Sequence, residues 1–224
     1  MGMLVRVTAS SGPTTLLLDV DGTLIDSYPG IREGFVRGLD AVGHPLPDES
    51  FIKRIPGPPM RESMAAAGLD EADIDRALSV YSEFMSIEGW QVFTVFDGVV
   101  EAIREWKEQG LQVVTATSKS EKFARLALEE AGILPMIDFL GAADYDVDRT
   151  TKIEVIRHVL DSVNPHNPLM VGDRKHDFAG AAEFNLPSVA VTWGYGDADE
   201  WAQATHIARD TEELKEIVRN HVGR

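Results

Sequence analysis

Short apolar runs recur along this chain without the in–out alternation of a half-exposed strand, and amphipathic segments separate them. The runs lie at residues 15–18, 111–116, 137–141, 169–171 and 188–192, and the first, Thr15-Leu16-Leu17-Leu18, is followed at once by Asp19-Val20-Asp21-Gly22-Thr23. Residues 98–109, 120–130, 151–160 and 175–184 carry helical patterns between them, with Gly110, Gly132 and Asn185 where helix C-terminal caps belong. A strand that is apolar on both faces must be covered on both faces. Strand–helix alternation of this kind therefore predicts an α/β fold, a Rossmann-like parallel sheet between two layers of helices.

One region breaks the alternation. From Ser27 to about Val95 there is no convincing strand; helical patterns at 31–42, 61–67 and 73–87 are broken by Gly43–Pro47 and by Pro56-Gly57-Pro58-Pro59. The expected organisation is a core from residues 1–26 and 96–224 with a helical cap inserted at 27–95. The tail from Thr211 reads as a last helix opening on Thr211-Glu212-Glu213-Leu214.

Composition narrows the chemistry. Of 224 residues, 44% are hydrophobic, which suits a packed core and argues against general disorder. Lys and Arg number 21 against 37 Asp and Glu, a net charge of −16. Such a chain is repelled by nucleic acid and by anionic membrane surfaces. The absence of cysteine excludes disulfides, thiolate catalysis and Cys-ligated metals. No apolar stretch approaches the roughly 20 residues that span a bilayer, and the polar segment from Met1 to Pro13 lacks the apolar stretch of a secretory signal. The default expectation is a cytoplasmic protein, monomer or homodimer, with no nucleic-acid or membrane partner.

In an open parallel sheet, ligands bind beyond the carboxyl ends of the strands. Three of the apolar runs end in Asp19 and Asp21, in Thr117-Ser118-Lys119, and in Gly172-Asp173-Arg174-Lys175-His176-Asp177, so these segments are expected to share one rim, with Lys152 in reach. Asp19 can attack phosphorus with a carboxylate oxygen. Asp21, two residues on, can protonate a leaving oxygen and later take a proton from water. Gly22 permits the turn that exposes both. With Asp173 and Asp177 added, the clustered carboxylates would repel one another, and a hard divalent cation on all-oxygen ligands, Mg²⁺ above all, resolves the repulsion. Thr117 offers a hydroxyl to a phosphoryl oxygen and Lys152 a balancing charge, the positioning and neutralisation that phosphoryl transfer needs.

Asp19-Val20-Asp21-Gly22-Thr23-Leu24-Ile25-Asp26-Ser27, Thr117-Ser118-Lys119, Lys152 and Gly172-Asp173-Arg174-Lys175-His176-Asp177 resemble, in order, the four motifs of the haloacid dehalogenase superfamily. The insertion resembles the cap of the subclass that includes phosphoglycolate phosphatases, and residues 57–63 and Thr192-Trp193-Gly194-Tyr195-Gly196 resemble the phosphoglycolate phosphatase and 5′-nucleotidase-like branch in particular. The resemblance implies that Asp19 is nucleophile and Mg²⁺ ligand and that Asp21 is acid/base and binds metal through its carbonyl. It implies further that Asp173 is a side-chain ligand, that Asp177 is a ligand or the partner of one, and that Thr117 and Lys152 bind the phosphoryl group. Ser118 and Arg61 are the remaining candidate substrate contacts; Lys53, Arg54 and Lys119 rank below them. The second aspartate argues against a dehalogenase, and Gly172-Asp173, in place of a Glu-Asp pair, argues against a β-phosphoglucomutase.

Each segment alone has a plainer reading. Asp-x-Asp suits a solvated turn, Thr117-Ser118 a helix cap and Asp177 a helix N-terminus. Trp90, Phe93 and Phe96 suit hinge packing, and Trp193 and Tyr195 fit either a site mouth or a packed loop. His44, His158, His166 and His206 show no ligand spacing, and His176 is expected to face solvent. The leading expectation is a Mg²⁺-dependent phosphatase acting on a small phosphomonoester, phosphoglycolate-like or a nucleotide or sugar phosphate, through an aspartyl-phosphate. The alternatives are a phosphomutase or other phosphoryl-transfer enzyme on the same scaffold, and a phospho-acceptor regulatory module.

Overall fold

In the computed structural model, which describes residues 12–223, the chain runs from β1 (Thr14–Leu18) through β2 (Ile25–Asp26) into four helices. These are α1 (Tyr28–Ala41), α2 (Glu49–Ile52), α3 (Met60–Ala66) and α4 (Glu71–Ile87). It returns through β3 (Thr94–Val95), α5 (Val99–Glu108), β4 (Gln112–Ser120), α6 (Glu121–Glu130), β5 (Phe139–Ala143), α7 (Lys152–Val163) and β6 (His166–Gly172). It ends with α8 (Lys175–Glu183), β7 (Ser188–Val191), α9 (Ala198–Trp201), β8 (His206–Ala208) and α10 (Thr211–Val222). The reading of the N-terminus lies, through residue 11, outside the described residues, as does Arg224.

Six strands form one parallel sheet in the order β5-β4-β1-β6-β7-β8. The continuous apolar runs are explained by cover on both sides. Leu16, Leu18, Val113, Leu169 and Val171 face one way, onto Ile103 and Trp106 of α5 and Leu214 and Val218 of α10. Leu17, Val114 and Met170 face the other way, onto Val155, Ile156 and Val159 of α7 and Ala181 of α8. The C-terminal caps stand where expected, with φ of 80° at Gly110, 68° at Gly132 and 56° at Asn185.

The helices between β2 and β3 pack on a separate cluster that includes Phe35, Leu39, Ile52, Ile55 and Met64. Two expectations are corrected here. The segment to Val95 does contain a strand, because Ile25 pairs with Val95 and Asp26 with Thr94 in an antiparallel ribbon that brings the two ends of the insertion together. The last helix is capped by Asp210, whose carboxylate accepts from Glu213 N–H at 2.8 Å, not by Thr211. β8 and α9 are further elements beyond the expected set. Among the described residues, no helix is long and apolar enough to cross a membrane.

Candidate active site

β4, β1 and β6 are adjacent in the sheet, so their carboxyl ends meet at one rim. That placement brings together Asp19 after β1, Thr117–Lys119 at the end of β4, and Asp173 after β6. Beyond Asp19 the chain folds back tightly: Leu24 N–H reaches Val20 O at 2.9 Å and Gly22 N–H reaches Ile25 O at 2.8 Å. Gly22 adopts φ 80°, open to glycine at low cost. Three glycines crowd two carboxylates. A Cβ on Gly22 or Gly194 would lie 2.3–2.4 Å from Asp173 Oδ2, and one on Gly172 would lie 2.2 Å from Asp177 Oδ2.

Asp19, Asp173 and Asp177 are buried, and each offers an oxygen within 4.8 Å of the others. Lys152, at the first position of α7 and 6% exposed, stands behind them. Its Nζ lies 2.8 Å from Asp19 Oδ1 and 2.7 Å from Asp177 Oδ1, while its directed hydrogen bond goes to Ala116 O at 2.8 Å. Both carboxylate oxygens are thereby charge-paired yet accept no well-directed hydrogen bond. Backbone N–H groups fix the rest: Arg174 N–H donates to Asp177 Oδ2 at 3.0 Å and Tyr195 N–H to Asp173 Oδ2 at 2.7 Å.

Burial pushes the Asp19 carboxyl up to about 6 against the pull of Lys152, and the charge of Asp177 adds to the rise. Burial, then Asp177 and Asp19, raise Asp173 well above the usual carboxylate range. Burial alone would lower the Lys152 ammonium, but Asp177 and Asp19 outweigh it and hold it above an ordinary lysine. Three buried acids face a single ammonium, so two negative charges are left uncompensated if all ionise. This all-oxygen donor set, three buried carboxylates with more negative charge than Lys152 balances, fits a hard divalent cation.

Asp21 does not join that cluster. Its carboxylate turns toward Lys119, with Nζ at 2.9 and 3.2 Å, and accepts from Ser27 Oγ at 2.5 Å. The four-acid cluster expected from sequence is thus three acids, with the fourth held outside it by its own partners.

A pocket of about 630 Å³ opens between this rim and the helical insertion. Asp19, Asp21, Thr117, Ser118 and Lys119 line its floor. Asp173, Asp177 and Lys152 do not line it; they lie behind Asp19. Arg61 lines the opposite wall, where its guanidinium pairs with Glu71 at 2.8 Å and with Asp75. Trp193 and Tyr195 pack the loop instead of lining the mouth: Trp193 donates to Thr23 O at 3.1 Å, and the Tyr195 hydroxyl donates to Asp26 Oδ1 at 2.9 Å. His176, expected to face solvent, is half-buried, and burial lowers its imidazole.

Sequence reasoning undervalued Lys119 and missed Ser27 and Arg174. Arg174 is 4% exposed. Its guanidinium pairs with Glu200 at 2.8 Å and donates to Arg54 O at 3.2 Å and to Pro56 O, tying the core to the insertion's loop. Its place beside Asp173 was the available signal.

The model of the haloacid dehalogenase-like hydrolase family matches residues 16–191. The chain is 37% identical over 189 residues to tyrosine-protein kinase PtkA of Mycobacterium tuberculosis (strain ATCC 25618 / H37Rv), an alignment that covers 84% of this chain but spans only 65% of that relative's length. It is 33% identical over 211 residues to a 5′-nucleotidase of Pseudomonas aeruginosa, covering 92% of this chain and 96% of the relative. The crystal structure of a predicted phosphatase from Clostridium acetobutylicum matches with a TM-score of 0.87 and 31% identity, covering 94% of this chain and 100% of that one.

Proposed function

We propose a function on this premise: the chain belongs to the haloacid dehalogenase-like hydrolase family. It is a phosphatase that hydrolyses small phosphomonoesters, Mg²⁺-dependent, with the phosphoryl group carried transiently on Asp19. One observation carries the reading: Asp19 is the acid that both lines the pocket and belongs to the buried cluster with Asp173 and Asp177.

An Asp19 carboxylate oxygen attacks phosphorus, forming an acyl phosphate as the bond to the leaving oxygen breaks. Asp21, on the pocket floor beside Lys119, gives its proton to that leaving oxygen. A water then attacks the phosphoryl group and loses its proton to Asp21, and inorganic phosphate leaves Asp19 as it was. Lys152 keeps the attacking carboxylate oriented and charged, while Thr117 and Ser118 present hydroxyls and backbone N–H groups to the phosphoryl oxygens. Asp19, Asp173, Asp177 and the carbonyl of Asp21 would hold Mg²⁺, which when bound supplies positive charge to the phosphoryl oxygens. Hydrolysis of 4-nitrophenyl phosphate with Mg²⁺ tests the reading: Asp19→Asn and EDTA should each abolish it. Full activity in Asp19→Asn would sink the assignment of the nucleophile.

The relative named as a tyrosine-protein kinase favours a second reading, transfer of the Asp19 phosphoryl group to a hydroxyl other than water's. Product analysis separates the two, since transfer yields a new phosphate ester where hydrolysis yields inorganic phosphate.

A further inference from the structure

The pocket is far larger than a phosphoryl group needs; about 630 Å³ lies within the roughly 300–1,000 Å³ of sites that enclose whole small molecules. Above the floor its walls are apolar and aromatic. Ile55, Met60, Leu78 and Met85 come from the insertion, Tyr81 faces in from α4, and Phe123 comes from α6 on the core side. The prolines of Pro56-Gly57-Pro58-Pro59 complete one side, and that loop is held by Arg174 through Arg54 O and Pro56 O. Rigid prolines and ring faces are suited to a flat, apolar group.

The charges on the lining point the other way from what a second anion needs. Among the described residues, the cations on the lining are Lys119 and Arg61. Lys119 is committed to Asp21, and Arg61 to Glu71 and Asp75. Glu62 adds a further negative charge to the wall. A carboxylate or second phosphate carried by the leaving group would meet hydroxyls of Ser82, Ser120, Tyr145 and Thr150 but no uncommitted cation, a costly burial of charge.

From this we propose that the pocket takes the phosphate ester of an uncharged, ring-bearing alcohol and rejects esters whose leaving group carries a second anion. The proposal rests on the phosphatase reading and narrows it. Phenyl phosphate and 4-carboxyphenyl phosphate form a matched pair that differs in one charge, and both are to be assayed on the wild-type enzyme with Mg²⁺. The expected result is a kcat/KM at least about tenfold higher for phenyl phosphate. Adenosine 5′-monophosphate, run alongside, separates a nucleoside from a simple arene as the source of the ring. Ser82→Lys, at an exposed position of α4 on the lining, places an uncommitted cation there and should narrow the gap at least threefold. Equal or better turnover of the carboxylated ester, or a gap that Ser82→Lys leaves untouched, overturns the proposal while the phosphatase reading stands. No turnover of any of the three esters overturns both.

Discussion

The two walls of the pocket handle charge in opposite ways. On the core side, Asp19 at the floor and Asp173, Asp177 and Lys152 behind it are buried and face one another. On the insertion side, apolar groups face inward, and the charges pair off on the surface, as in Arg61–Glu71, Arg32–Glu49 and Arg76–Asp73. Buried charge that must be matched fixes a reaction centre. Surface charge that pairs locally leaves the wall free to be shaped by packing alone.

The sharpest test of this contrast is Lys152→Met. It leaves the buried acids without their cation and should cost about 3–5 kcal/mol. Urea unfolding measures it; a loss below about 1 kcal/mol would break the comparison, and added Mg²⁺ should recover part of the loss. Leu39→Ala strikes the other side, in the insertion's own cluster, at about 2–5 kcal/mol. Hydrogen exchange should show α1 and α4 losing protection while β1, β4 and β6 keep theirs.

Thr151→Ala is smaller. It removes the capping box in which Thr151 accepts from Glu154 N–H at 3.3 Å, at about 1 kcal/mol in a thermal melt. Smaller again is the effect of acid on the seam between the walls. Burial works against the Glu200 carboxylate, but Arg174 outweighs it and holds Glu200 below its ordinary value. A lowered folded-state value stabilises above the unfolded one, near pH 4.3, and that contribution disappears as pH falls through the folded value. Glu200→Gln should flatten this acid limb of a stability–pH curve. Arg76→Ala, which breaks an exposed pair, should change stability by no more than about 0.5 kcal/mol.

How much the sequence showed follows the same division. Leu16-Leu17-Leu18 ending in Asp19 is a local pattern, and so is Leu169-Met170-Val171 ending in Gly172-Asp173; burial on both faces and polarity at the tip are written in consecutive residues. The pairings between distant segments were not legible. Lys119 meets Asp21 across 98 positions and Arg174 meets Pro56 O across 118. β2 and β3 have two residues each and β8 three, too short for any periodicity to register. Arg61 sits in a segment that suggested a clamp, yet two acids from the next helix hold its guanidinium.

The crowding of Gly22, Gly172 and Gly194 around Asp173 and Asp177 has a consequence for descent with modification. At these three positions even a methyl group collides with a carboxylate or with backbone, so none of these glycines can be replaced without shifting the buried acids of the proposed reaction centre. The insertion, closed on its own core and joined to the rest by a short ribbon, has crowded glycines of its own at Gly30, Gly38 and Gly89, but its pocket-facing residues, Met60, Leu78 and Ser82 among them, lie apart from the buried acids and can change without displacing them. New substrate preferences in a lineage built on this plan would therefore accumulate in one part of the gene, while the part encoding the chemistry stayed almost still.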